Sequence, residues 1–279
     1  MVIRPSGRST DFISPSFGHG CLYDCTYCYM KRHKADGLDI AKNTNDILTE
    51  INSHAYFAVV DKPNQTHPEH ITYDISCNED FALHAKFHEW NKIFDFFKNH
   101  EIAMGSFATK YVNKNLLNYN PNEKIRIRFS LMPQAYSDLL EPNTSLISER
   151  LNAVKSFKDA GYDVHLNFSP VIVSDDWLNE YEKLFNDVKK QAVLDGWDND
   201  SVKCEVIFLT HNADKHKHNL KNNLTGEDLI WKPEIQENKT SEFGGLNIRY
   251  QRGLKASYVK AWTQLHDRII PWNTIRYIF

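Results

Sequence analysis

Three cysteines, Cys21, Cys25 and Cys28, stand in one short stretch with the spacing Cys-x3-Cys-x2-Cys. Three thiolates can hold three irons of a [4Fe–4S] cube and leave the fourth iron open. An open iron can bind a small ligand and pass it one electron. A zinc site would need four ligands, and His19 and His33 are near enough in sequence to supply a fourth. A disulfide framework fits poorly, because the chain has five cysteines, an odd number, and no secretory signal precedes them. Tyr27 precedes the third cysteine and Tyr29 follows it. An aromatic at either place can shield a cluster from water.

Other residues have chemistry to offer. Cys77 lies in Ser76-Cys77-Asn78-Glu79-Asp80, directly after an apolar run. Its thiol has an S–H bond weak enough to give a hydrogen atom to a carbon radical; the bland reading is a small buried hydrophobe. Cys204 sits within an apolar run and reads as core. Lys110 and Ser130 each close a strand-like segment. Arg126 and Arg128 alternate along one strand and read as a solvated or ion-paired face. Glu141 precedes a polar turn into a helix, where capping is the preferred role over a bond to the site. Lys31 to Lys34, and Lys215 to His218 with Lys221, form basic clusters; each reads as a solvated loop, with phosphate contact as the alternative.

These residues need elements to position them. Six apolar or β-branched runs read as strands: Asp11 to Phe17, Ile71 to Ser76, Ala103 to Thr109, Ile125 to Leu131, Tyr162 to Val173 and Val202 to Leu209. Helical spacing fills the gaps at Thr44 to Phe57, Phe81 to Asn99, Ser145 to Ala160 and Trp177 to Ala192, with Thr144 or Ser145 as an N-cap and Ala160-Gly161 as a stop. Strand alternating with helix predicts parallel β/α units. The fold class is therefore α/β, a partial (β/α)6 TIM-type barrel, and chemistry should collect at the C-terminal ends of its strands. Residues 1–228 are expected to form this barrel. Residues 229–279 form a C-terminal extension, with a turn at Phe243-Gly244-Gly245, a hairpin strand at Leu246 to Gln251, a helix at Ser257 to Leu265 and an edge strand at Ile275 to Phe279.

The 279 residues are 41% hydrophobic and 25% charged, with a net charge of −3. That is an ordinary globular composition, without the general basic excess of a nucleic-acid coat. No apolar run approaches the ~18 residues of a membrane span. Free thiols and an oxygen-sensitive cluster point to the cytoplasm.

Taken together, several stretches resemble the radical S-adenosylmethionine (SAM) superfamily, in its spore photoproduct lyase-like branch. They are the Cys21–Tyr29 loop, Ser76-Cys77, Thr109-Lys110-Tyr111, Arg126–Ser130, Glu141–Arg150, Ala160-Gly161-Tyr162 and Trp272–Phe279. The resemblance implies a [4Fe–4S] cluster on Cys21, Cys25 and Cys28. SAM bound to its open iron would be cleaved to a 5′-deoxyadenosyl radical, which abstracts hydrogen from a thymine-derived base in DNA. It implies Cys77 as hydrogen donor, and Tyr27 and Tyr29 as catalytic tyrosines, the first returning hydrogen to SAM. Tyr27, Asn78, Lys110 and Ser130 match SAM-binding positions. Arg249 and Tyr250, in Gly244 to Tyr250, match the hairpin near the lesion and imply DNA contacts. DNA is the implied substrate, and a flavodoxin or ferredoxin the implied reductant.

The sequence departs from that branch in Asn78 for a serine, in Met132-Pro133 after the fourth strand, and in an expected lack of the N-terminal region, about half a domain, before the loop. A relative acting on a hypermodified thymine of phage-type DNA would keep the same machinery. A reading of another class is a non-catalytic zinc- or cluster-stabilised nucleic-acid-binding module.

Overall fold

A computed structural model describes residues 2–28, 30, 37–57, 61–199, 201–240 and 246–279. The chain divides into two compact units. The first comprises residues 1–22, 33–130 and 152–166; the second comprises 23–32, 131–151 and 167–279. Residues 229–279 thus fall in the same unit as 167–228.

In the first unit, strands β1 (Arg4–Pro5), β2 (Phe12–Ile13), β5 (Ile71–Asp74), β6 (Ala103–Thr109), β7 (Ile125–Leu131) and the start of β8 (Asp163–Val171) follow one another across a sheet. β2 pairs β5, β5 pairs β6 and β6 pairs β7, all in parallel. Their C-terminal ends therefore lie along one edge. β6 and β7 are buried along almost their whole length, as expected of parallel strands covered on both faces. Helices α1 (Thr44–Phe57), α2 (Phe81–His84), α3 (Trp90–Asn99) and α5 (Ile147–Asp159) join them. Phe81, Phe94 and Phe107 stack with centroids 5.3–6.2 Å apart and form the centre of this core.

Several sequence expectations change here. The first strand is confined to Phe12–Ile13. Before and after the cysteine loop, β3 (Gly18–Gly20) pairs antiparallel with β4 (Leu38–Ile40). The helix expected over Phe81 to Asn99 breaks after His84 into a 3-10 turn, Ala85–Phe87, and restarts at Trp90. His88 causes the break: it is extended, stacks on Phe81 at 4.8 Å and reaches Glu79. Gly161 does stop α5. Its φ is +92°, and a Cβ there would meet Asn120 Oδ1 at 2.2 Å.

In the second unit, the remainder of β8, β9 (Cys204–Phe208) and β13 (Ile275–Ile278) continue a sheet in that order, with β13 parallel to β9 at its edge. A separate antiparallel sheet runs β10 (Thr210–Asn212), β12 (Leu246–Tyr250), β11 (Gln236–Thr240). Helices α4 (Gln134–Leu140), α6 (Trp177–Asp195), α7 (Ala213–Lys221), α8 (Glu227–Ile230) and α9 (Arg252–Ile269) belong to this unit. Phe168, Phe185 and Trp262 meet edge to face and anchor its core. Among the described residues, no helix is long and apolar enough to cross a membrane.

The Arg126 and Arg128 side chains are buried and ion-paired, with no solvated face: Arg126 Nε lies 2.6 Å from Asp163, and Arg128 Nη2 lies 2.8 Å from Asp74. Burial alone would raise the Asp163 pKa, but His165 and Arg126 outweigh it and hold the carboxyl well below the ordinary range. A carboxyl depressed on folding stabilises the protein above its unfolded pKa of about 3.9, and that contribution is lost as pH falls below it. Asp163→Asn should therefore cost about 3 kcal/mol at pH 7 by stranding Arg126. It should also flatten the fall in stability between about pH 4 and pH 2, read by urea melts across that range.

Candidate active site

The C-terminal edge of the first unit's parallel strands collects most of the expected residues. After β5, the turn Ser76–Glu79 is closed by the Glu79 N–H donating to Ser76 O, and by Ser76 Oγ–H donating to Glu79 O at 2.8 Å. Cys77 and Asn78 are its two central residues, so the thiol is carried on a tight turn rather than in the core. Cys77 is half-buried, and Arg4 Nη2 approaches its sulfur to 4.0 Å. The Asn78 carbonyl accepts from Gly20 N–H at 3.0 Å, immediately before Cys21. The Asn78 amide donates to Ser16 Oγ. Lys110 is half-buried just past β6, and Ser130 is buried near the end of β7.

Two buried acids bind this edge together. Asp80 accepts from Thr109 Oγ1–H at 2.6 Å and from Lys110 N–H at 2.9 Å, so the end of β6 is locked to the turn after β5. Glu79 Oε2 is held by His84 Nδ1 at 3.0 Å and His88 Nε2 at 2.8 Å. His84 Nε2 in turn accepts the Leu22 N–H at 3.3 Å, which assigns its proton to Nδ1. Burial would raise the Glu79 pKa, yet the two histidines lower it. A Cβ on Gly18 would lie 2.6 Å from this carboxylate, so only glycine lets β3 approach it.

The rest of the cysteine loop belongs to the second unit. Cys28 N–H closes a turn onto Cys25 O at 3.0 Å. Between them, Thr26 N–H donates to Leu140 O, Thr26 Oγ1–H donates to Thr225 O, and Thr26 O accepts from Asn219 Nδ2. Tyr27 gives its hydroxyl hydrogen to Glu141 Oε1. Burial and the Glu141 charge push the Tyr27 pKa well above 10. Glu141 also accepts from Ser137 Oγ–H at 3.1 Å and pairs with Arg150 at 2.9 Å, both side chains of the pair being fully buried. Its role is therefore not helix capping, because its carboxylate turns inward to the cluster loop. α5 begins at Ile147; Leu146 N–H goes to Glu149, and Thr144 Oγ1–H donates to Glu141 O at 2.8 Å.

Cys21 and Cys25 are buried and Cys28 is half-buried; none of the five cysteines forms a disulfide. A three-thiol donor set on a hydrogen-bonded loop fits a cluster with one open iron. His19, one suggested fourth zinc ligand, is exposed, with Nδ1 on the carbonyl of Gly18. Tyr29, His33 and the Lys31–Lys34 cluster lie outside the described residues, as do Gly244 and Gly245. The Lys215–His218 cluster is no solvated loop: it lies in α7, and Lys215 is buried.

The expected DNA contacts need correction. Tyr250 is 1% exposed and its hydroxyl accepts Val173 N–H at 2.8 Å, which leaves it no surface for a nucleic acid. Arg249 is half-buried and pairs with Glu237 at 2.9 Å. Sequence reasoning missed Glu79, Asp80, His84, Asn219 and Glu227, whose contacts depend on how turns and helix ends fold back and follow no strand or helix period. The Glu141→Gln variant should lose about 3–5 kcal/mol of stability in denaturant melts, because Arg150 is left as an uncompensated buried charge. It should also lower the Tyr27 phenol pKa, measured by ultraviolet titration, towards the ordinary value of about 10.

Comparisons with known proteins point to one family. The spore photoproduct lyase family model matches residues 3–279. The spore photoproduct lyase of Bacillus subtilis is 24% identical over 279 residues, covering 98% of this chain and 77% of that protein. That of a Geobacillus strain is 26% identical over 192 residues, and the match spans only 53% of its length. A solved spore photoproduct lyase mutant with bound AdoMet and dinucleoside spore photoproduct superposes with a TM-score of 0.86 at 19% identity, over all of this chain and 79% of that one. A structure of anSMEcpe with bound AdoMet gives 0.52 at 13% identity, over 95% of this chain and 60% of that one. The α/β fold with a partial barrel of parallel strands is the one these structures share. With its family model matched from residue 3 to residue 279, the chain belongs to the spore photoproduct lyase family.

Proposed function

We propose that the protein is a radical SAM enzyme acting on a thymine-derived lesion in DNA, as its lyase relatives do. The observation that carries this is the coupling of the cysteine loop to a second thiol. Gly20, next to Cys21, donates its N–H to the carbonyl of Asn78, next to Cys77. A [4Fe–4S] cluster on Cys21, Cys25 and Cys28, with SAM on its open iron and a one-electron donor such as a flavodoxin or ferredoxin, supplies a hydrogen-abstracting carbon radical. Every other part falls to the chain's own side chains.

Cys77 presents its S–H from the Ser76–Glu79 turn. When a substrate carbon radical meets it, the S–H bond breaks, a C–H bond forms and the unpaired electron stays on sulfur. Tyr27 keeps its phenolic hydrogen throughout the neutral range, because burial and Glu141 oppose ionisation. It therefore holds a transferable hydrogen beside the loop. Lys110, fixed by Asp80 through its backbone, offers an ammonium suited to the SAM carboxylate. Ser130 offers a hydroxyl suited to a ribose oxygen.

Anaerobic protein reconstituted with iron and sulfide should form 5′-deoxyadenosine from SAM under reductant and convert a spore-photoproduct dinucleotide to thymine, followed by mass spectrometry. Cys77→Ala should keep SAM cleavage and lose most of the thymine product. Equal thymine yield in that variant would remove Cys77 from the reaction. SAM cleavage without turnover of the dinucleotide by the unaltered protein would refute the lesion assignment.

A further inference from the structure

The second unit holds a cluster that the radical chemistry does not use. His211 is the central residue of the short strand β10, His216 is the fourth residue of α7, and Glu227 opens α8. Their ligand atoms all lie within 4.8 Å of one another. His211 Nε2 is 2.9 Å from Glu227 Oε1, and His216 Nδ1 bears on the same oxygen. From this geometry we infer a divalent-metal site of the zinc type, built of two imidazole nitrogens and one carboxylate.

Four observations carry the assignment. First, the donor set is one that a borderline cation such as Zn2+ takes, with room for a water as fourth ligand. Tetrahedral bonds of about 2.0–2.1 Å place ligand atoms about 3.3 Å apart, so the Glu227 oxygen must draw back from both histidines to admit the ion. Second, the outer shell is built. Asn219 Nδ2 donates to the other carboxylate oxygen, Oε2, and fixes which oxygen faces the histidines. Trp231 lies flat on the His216 ring, centroids 3.7 Å apart at 5°, and fixes its plane. The Asn212 side chain accepts the Asp214 and Lys215 N–H groups and so sets the first turn of α7.

Third, His211 is fully buried and its Nδ1 has no hydrogen-bond partner among the described residues. Nε2 gives its hydrogen to Glu227; with Nδ1 unbonded that hydrogen can move to Nδ1, which would turn the Nε2 lone pair to a cation. Fourth, His216 keeps 18% of its side chain exposed, which gives an ion a way in.

The site is structural in its consequence. Asn219, which braces Glu227, also donates to Thr26 O, between Cys25 and Cys28. A metal here would stiffen the outer support of the cysteine loop while leaving the three thiols to the cluster.

The test uses the full-length chain, Zn2+ and Co2+. The Cys21→Ala/Cys25→Ala/Cys28→Ala variant, which cannot hold a cluster, should retain one equivalent of zinc after desalting and show tetrahedral Co2+ bands. Adding His216→Gln, at a half-exposed position, should abolish the retained zinc and the bands. Adding Asn219→Ala should weaken Co2+ binding about 10- to 100-fold. The reconstituted holoprotein should contain one zinc beside its cluster iron. Absence of zinc and cobalt binding in the triple cysteine variant, with native circular dichroism, would overturn the proposal. Undiminished binding after His216→Gln would overturn it as well.

Discussion

The loop that carries Cys21, Cys25 and Cys28 is neither helix nor strand, so its peptide groups have no ladder to satisfy them. That constraint organises the molecule around residues 20–28. Gly20 N–H goes to Asn78 O, Leu22 N–H to His84, Thr26 N–H to Leu140 O and Thr26 O to Asn219. Behind the side chains that do this stand buried carboxylates: Glu79 behind His84, Glu141 on Tyr27, and Glu227 behind Asn219. Glu79 and Glu227 are held below the ordinary carboxyl pKa against burial by their histidine and amide partners, and Glu141 pairs with Arg150. The loop is thus held by acids whose own environments are expensive to build, which is sensible only if its geometry matters.

The parallel sheet supplies the other half of the arrangement. Since β2, β5, β6 and β7 all run the same way, the residues that follow them share one edge. Cys77 is brought there by a turn, Lys110 by Asp80 and Ser130 by the strand itself. Asp80 has a double use, capping α2 through Leu83 N–H while locking Thr109 and Lys110. The same short segment, residues 76–88, therefore carries Cys77, fixes the Lys110 backbone and binds Gly20 and Leu22 of the cysteine loop.

Much of this was legible in the sequence. The strands Ala103–Thr109 and Ile125–Leu131 and the helix Thr44–Phe57 match their patterns end to end, because long buried strands and amphipathic helices carry strong local signals. The hairpin of β3 and β4 was not, since three residues of Gly-His-Gly carry no strand pattern. The break at His88 depended on a partner, Glu79, that periodicity cannot see. The cysteine spacing was plain, but Glu141 looked like a cap because its buried partner Tyr27 lies 114 residues away. His216 was hidden inside a run that read as basic and solvated, and Tyr250 inside a hairpin that read as exposed.

The central claim is that three thiols on this braced loop leave one iron open to SAM. Electron paramagnetic resonance of the anaerobically reconstituted, reduced protein tests it most directly, recorded with and without SAM labelled in its amino nitrogen. The account predicts a reduced [4Fe–4S] signal that changes when SAM is added and shows hyperfine coupling to the labelled nitrogen. A signal indifferent to SAM, or a protein that takes up zinc on the three cysteines in place of iron, would contradict it.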